Sequence, residues 1–267
     1  MWSFREKRKL LTSQIEDLYL HIDKELNSGK AQQAVELLKQ IQKYYPQDAR
    51  WMTRLGLAYE QLDQRCLAYN FYLQAAEKLD ANAFYYLGKI EFERHNYCLA
   101  KHYLHQAAKY KSHLPYYLLG NLYFNNFEYQ QAIRCYNHAL QHQQIEALIP
   151  LSRIYLLLKD FNRAYTCLEQ AFDQDLELSS HYLALYYLNL NNYSESKQWL
   201  IYSFQIDHNL ASLEQLGQIY CSENQITYGE TIIQIAQKLD QEANLNGKEQ
   251  YLLRQLMGDK HYEYGNK

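Results

Sequence analysis

Residues 87–107 read LGKIEFERHNYCLAKHYLHQA, and residues 119–139 read LGNLYFNNFEYQQAIRCYNHA. The two stretches start 32 positions apart and align without a gap. Each holds a Leu-Gly pair, a small residue twelve positions after the Gly (Ala100, Ala132), a large one four further on (Leu104, Tyr136) and a second small one three beyond that (Ala107, Ala139). Offsets of three and four place side chains on one face of a helix. A face that alternates small with large side chains lets a neighbouring helix approach closely while filling the gaps beside it.

Working outward, the first small position recurs at Ala34, Ala68, Ala100, Ala132, Ala164, Ser196 and Gly229, with spacings of 34, 32, 32, 32, 32 and 33. The second recurs at Ala75, Ala107, Ala139, Ala171, Ser203 and Ala236. Between the two halves of each period stand Lys30-Ala31, His95-Asn96-Tyr97, Phe127-Glu128-Tyr129, Lys159-Asp160-Phe161 and Asn191-Asn192-Tyr193. Such polar residues suit a short turn. About seven repeats are expected, each a pair of amphipathic helices. A lone pair of this length cannot offset its ordering entropy, so the pairs must stack.

Composition agrees with an all-helical chain. Gly and Pro total 12 of 267 residues, there is one Val and there are five Thr, so few residues favour strands or turns. The 27 Lys and Arg against 30 Asp and Glu leave a formal charge of −3, which lacks the basic excess of a nucleic-acid binder. No h-region follows the basic residues at 5–9, and the longest apolar run, 182–188, has seven residues, far below the ~18 to 20 of a membrane span. Five cysteines without a C-x-x-C pattern favour a reducing, cytoplasmic setting over a disulfide framework.

The repeated residues resemble the tetratricopeptide repeat family, whose pattern W-x2-L-G-x2-Y…A-x3-F…A has a 34-residue period. The second repeat supplies Met52, Leu55, Gly56, Tyr59, Ala68, Tyr72 and Ala75, and the fourth Tyr116, Leu119, Gly120, Tyr123, Ala132, Tyr136 and Ala139. Departures are His21, Ile22 and Glu25 in the first repeat, and Ser180 and Ser196 in the sixth. The resemblance implies a right-handed α-solenoid, a superhelix of about seven helix-turn-helix repeats with capping helices at both ends. The expected organisation is a basic helical extension over 1–14, the solenoid over 15–240, a capping helix over 241–258 with Gly258 at its end, and a polar tail over 259–267.

In that family the first helix of each repeat lines a concave groove. By the family's phases the lining would be Arg50, Thr53, Arg54 and Leu57; Tyr85, Tyr86, Lys89 and Phe92; Tyr117, Asn121 and Phe124; Arg153 and Leu156; His181 and Leu185; and Gln218. Such an aromatic wall with a few cations fits a protein or peptide partner, with an acidic segment expected because Arg and Lys grip carboxylates. The family's clamp for a C-terminal carboxylate is missing from any three consecutive repeats, which disfavours chaperone-tail recognition. The resulting expectation is a non-enzymatic scaffold or adaptor, active in complex assembly, with no cofactor and no nucleic-acid ligand.

Three alternatives stand beside it. One is a peptide-responsive regulator, although about 14 residues before the first repeat are too few for a DNA-binding domain. Another is a peripheral membrane assembly factor held by residues 1–11. The third is a metal protein or enzyme, for which Cys98, His102 and His105 at i, i+4 and i+7 are the weak metal candidate. One straight helix seldom surrounds a tetrahedral ion, and packing or surface roles compete for the same residues. No phosphate loop, zinc-protease or nucleophile-elbow motif occurs, so no catalytic residue is assigned.

Overall fold

The computed structural model describes residues 4–44, 46 and 48–257, with side chains from residue 15 onward. The expected end at Gly258, the tail and the side chains of the proposed membrane contact lie outside the described residues. Among the described residues the chain forms fifteen α-helices and one 3-10 turn, with no strand. They fall into two compact units, Met1–Asn126 and Phe127–Lys267.

The amino-terminal unit contains α1 (Phe4–Asn27), α2 (Ala31–Tyr44), α3 (Ala49–Gln61), α4 (Arg65–Glu77), α5 (Ala81–Glu93), α6 (Tyr97–Lys109) and α7 (Tyr116–Asn125). The carboxy-terminal unit contains α8 (Tyr129–Gln141), the 3-10 turn Ile145–Ala147, α9 (Leu148–Leu157), α10 (Phe161–Asp173), α11 (Ser179–Asn189), α12 (Tyr193–Asp207), α13 (Leu210–Ser222), α14 (Ile226–Asp240) and α15 (Gly247–Met257). Within each unit every helix packs on its successor. α1 runs unbroken through position 14, so the extension and the first repeat share one helix.

The small positions sit at the helix crossings. Ala68, Ala100, Ala132 and Ala164 are at most 1 % exposed, as are the large Tyr72, Leu104, Tyr136, Leu168 and Leu200 beside them. The two serines that depart from the family pattern are accommodated by hydrogen bonds. Ser196 Oγ donates to the Ala184 carbonyl at 2.9 Å, and Ser180 Oγ to Asp207 Oδ2 at 2.9 Å. A buried hydroxyl with its bond made costs little.

Most helix ends share one device. The residue after the C-cap takes a left-handed conformation, at Asp63, His95, Phe127, Lys159 and Asn191 within repeats and at Leu79, Lys111, Gln143 and Asp175 between them, whereas at α12 the C-cap His208 is itself left-handed. Both series advance by 32. At Leu79 the turn closes with Leu79 N–H on the Ala76 carbonyl (2.9 Å) and Asp80 N–H on that of Ala75 (3.1 Å), which satisfies carbonyls the helix end leaves open. Asp80 then caps α5, its Oδ1 accepting from Ala83 N–H at 2.8 Å. Of the turn residues read from the sequence, Asp160 and Asn192 cap α10 and α12 in the same way, whereas Asn96 and Glu128 precede α6 and α8 without a side-chain cap bond.

At the far end, α15 buries Leu252, Leu253, Leu256 and Met257 and packs on α12 and α14. Glu249, 3 % exposed, accepts from Lys238 Nζ at 2.7 Å and from Asn246 N–H at 2.8 Å, so this buried carboxylate is paired. Those donors, the Lys238 bond foremost, hold its pKa below the usual range.

Candidate interaction surface

In the amino-terminal unit the first helices are α1, α3, α5 and α7. Three of the expected lining residues are cations, and each is already held by carboxylates of the same unit. Arg54 makes a two-pronged contact with Asp23, Nε to Oδ1 at 2.7 Å and Nη2 to Oδ2 at 2.8 Å. Arg50 binds Asp48 through Nη2 at 2.8 Å and Glu16 through Nη1 at 2.5 Å. The two guanidinium carbons lie 4.6 and 4.5 Å from the centre of the Tyr19 ring, whose hydroxyl donates to Asp48 at 3.1 Å. Burial, then the Asp48 charge, pushes the Tyr19 pKa well up.

Lys89 Nζ lies 3.4 Å from Glu60 and 3.9 Å from Glu93. Glu60 also accepts from the Tyr72 hydroxyl at 2.8 Å. Tyr72 stacks on Tyr86 at 5.0 Å, and Tyr85 meets Tyr86 edge-on at 5.1 Å. Burial pushes Tyr86 up to about 12. Three cations therefore face five carboxylates, Glu16, Asp23, Asp48, Glu60 and Glu93. Arg50, Arg54 and Lys89 of the expected lining are thus engaged in ion pairs within the unit.

Other lining residues divide. Thr53 is 5 % exposed and donates to Asp80 at 3.1 Å, so it tethers α3 to α5. Leu57 packs against the core. Tyr85, Tyr86, Phe92, Tyr117 and Phe124, the aromatic portion of the expected wall, keep part of their surface in solvent, as does Asn121.

The carboxy-terminal unit carries the remaining residues. Arg153 lies 5.6 Å from the Tyr182 ring centre, Leu156 is buried, Leu185 is half-buried and Gln218 is exposed. His181 is half-buried: its Nδ1 is 2.8 Å from Ser212 Oγ, which donates to Ser203 Oγ at 2.9 Å. Burial lowers the His181 pKa and the Asp207 charge opposes that shift. His181 thus belongs to the joint between α11, α12 and α13.

Sequence reasoning missed Glu16, Tyr19, Asp23 and Glu60. The signal was available, since Glu16 and Asp23 stand 34 residues before Arg50 and Leu57 and so occupy lining phases of the first repeat. The metal candidate does not assemble. Cys98 and His102 are exposed, His105 Nε2 is 3.2 Å from the Tyr123 hydroxyl, and no group of three His, Cys, Asp or Glu among the described residues is placed to hold an ion. No described helix is long and apolar enough to cross a membrane.

Comparison with known proteins bears on this geometry. Two family models, both described as tetratricopeptide repeat, match residues 113–144 and 145–177. No curated protein sequence matches the chain. Among solved structures, the hetero-tetramer Cut9-Hcn1 of APC/C aligns with a TM-score of 0.64 at 14 % identity, covering 90 % of this chain and 48 % of that one, so the chain spans about half of its length. The C-terminal part of a TPR repeat-containing protein from Cytophaga hutchinsonii gives 0.57 at 13 % identity, over 87 % and 98 % of the two chains. A tetratricopeptide repeat protein from Parabacteroides merdae gives 0.54 at 14 %, over 91 % and 98 %. At these identities the likeness concerns the fold. Residues 113–177 match the tetratricopeptide repeat, and the chain has the all-α fold of tetratricopeptide-repeat proteins, its described helices making about seven such pairs.

Proposed function

We propose that the chain is a non-enzymatic protein-interaction scaffold that holds a segment of a partner protein on the first-helix face of its amino-terminal unit. The observation that carries this reading is the group of half-buried aromatics on α5 and α7: Tyr85, Tyr86, Phe92, Tyr117 and Phe124. Rigid aromatic rings supply contact area at low rotamer cost. Because the cations of this face are internally balanced, its ligand is an uncharged segment with apolar side chains rather than an acidic one. The fold shared with Cut9-Hcn1, an assembly of different chains, supports a scaffold role by analogy only. In this reading residues 15–240 form the repeat array, α15 is its cap, and the setting is cytoplasmic.

Selection of twelve-residue peptides from a displayed library against the full chain tests it. The expected binders are poor in Asp and Glu, reach about micromolar affinity, and lose at least tenfold on Tyr85→Ala/Tyr117→Ala with circular dichroism unchanged. Binders rich in carboxylates, or binders indifferent to the double variant, would place the site elsewhere.

A further inference from the structure

Between Glu93 and Glu128 the sequence contains no Asp or Glu. Residues 94–127 carry Arg94, Lys101, Lys109 and Lys111 together with His95, His102, His105 and His113, four of the ten histidines. The rest of the chain then holds 23 Lys and Arg against 30 Asp and Glu, a balance of −7 beside the +4 of this stretch. A segregation of charge this strong is a statement about surface potential, since pairing of opposite charges along the stretch itself is impossible.

Two of those cations, Lys101 and Lys109, and two of the histidines, His102 and His105, stand on α6, whereas Arg94 is paired with Glu91 and Lys111 lies in the turn after the helix. α6 buries Ala100, Leu104 and Ala107 completely. Cys98, His102, His105 and Lys109, at i, i+4, i+7 and i+11, form the opposite stripe and are exposed. Lys101 flanks it with Nζ 4.3 Å from the centre of the Tyr123 ring of α7, and the same Tyr123 hydroxyl lies 3.2 Å from His105 Nε2. Tyr97 and Leu99 at the start of the helix are 45 % and 40 % exposed, which adds apolar contact area beside the charge.

We propose that this outer stripe of α6, with Lys101 and Tyr123, is a docking surface for an acidic segment of a partner protein, distinct from the first-helix face. α6 has thirteen residues, so the stripe is about 20 Å long and matches a short cluster of carboxylates. The exposed Tyr97 and Leu99 favour a peptide with apolar side chains among its acids.

Docking of carboxylates is linked to proton uptake. Burial, then the charges of Lys101 and His102, lowers the His105 pKa, so its imidazole is neutral at pH 7. α7 presents Tyr123 to it. The charged residues of α5 are engaged elsewhere, Lys89 with Glu60 and Glu93, and Glu91 with Arg94 and Asn96. Bringing carboxylates beside His105 favours its charged form, so binding draws in protons and tightens as pH falls.

The test uses the full chain and a fluorescent twelve-residue peptide of Glu, Ala and Leu containing six Glu, alongside its Gln analogue. Expected results are at least tenfold tighter binding of the Glu peptide, a further gain of about threefold from pH 7.5 to 6.0, and loss of at least tenfold in His102→Glu/Lys109→Glu. Lys39→Glu/Lys43→Glu on α2 and Tyr85→Ala/Tyr117→Ala leave that binding unchanged. Equal affinity for the two peptides, or indifference to His102→Glu/Lys109→Glu, overturns the proposal. So does preference for oligouridine or for phosphatidylserine vesicles over the Glu peptide.

Discussion

Replacing Gly229 by Ala tests how closely the last helix pair is packed. Five other repeats carry Ala at this place, Ala34, Ala68, Ala100, Ala132 and Ala164, and Ala is the better helix former by about 1 kcal/mol, so a rule drawn from the repeats themselves makes the change stabilising. The geometry reverses the sign. A Cβ on Gly229 would stand 2.4 Å from the Gly217 carbonyl oxygen, 2.5 Å from Cys221 Sγ and 2.8 Å from Cys221 N. Two of those three atoms are backbone and cannot rotate away, so α13 and α14 must separate. Overpacking costs about 1 to 3 kcal/mol, and backbone contacts this short put it at the upper end; less the propensity gain, the net loss is about 2 kcal/mol. Urea unfolding followed by circular dichroism reads this as a lower midpoint. Gly247→Ala is the control, because nothing lies within 4 Å of its added Cβ. A Gly229→Ala chain as stable as the parent would refute the close approach.

Three further outcomes follow from the same structure. Leu79→Gly relieves a left-handed residue (φ 62°) whose side chain is 54 % exposed, for a gain of about 0.5 kcal/mol, while Leu79→Ala gives none; thermal melts of the three chains decide. A double-mutant cycle of Asp23→Ala with Arg54→Ala should show coupling of at most about 1 kcal/mol, since Asp23 is 41 % exposed, and zero coupling would return Arg54 to the pool of ligand-gripping cations. Acidification should loosen the carboxy-terminal unit. His181 has a depressed folded pKa, so below its unfolded value near 6.5 the unfolded chain binds more protons and stability falls with pH. His181→Asn should flatten the melting temperature between pH 7 and 5, and an unaltered slope would remove His181 from the joint.

The periodicity was legible because packing geometry repeats. Ala68, Ala100, Ala132 and Ala164 lie at the crossings that their spacing predicts, and the turn residues His95, Lys159 and Asn191 stand where the helices stop. Partners across helices were less legible. Arg50, Arg54 and Lys89 occupy the expected face, yet the carboxylates that neutralise them come from α1, from the turn before α3 and from the ends of α3 and α5. Counting phases within one repeat cannot show an ion pair between two. Thr53 and Leu156 were read as lining because phase gives direction, whereas burial depends on what the next helix brings against it. The closeness of α13 and α14 was hidden for a similar reason: a Gly at a small-residue position says that an Ala is absent, not that none would fit.

The account turns on the first-helix face of the amino-terminal unit meeting another polypeptide. The most direct measurement is photo-crosslinking of a library-selected peptide from a benzophenone side chain placed at Asn121 on α7 or at the exposed Asn70 on α4. The account predicts crosslinks from position 121 and none from position 70. Crosslinks from 70 alone would contradict it.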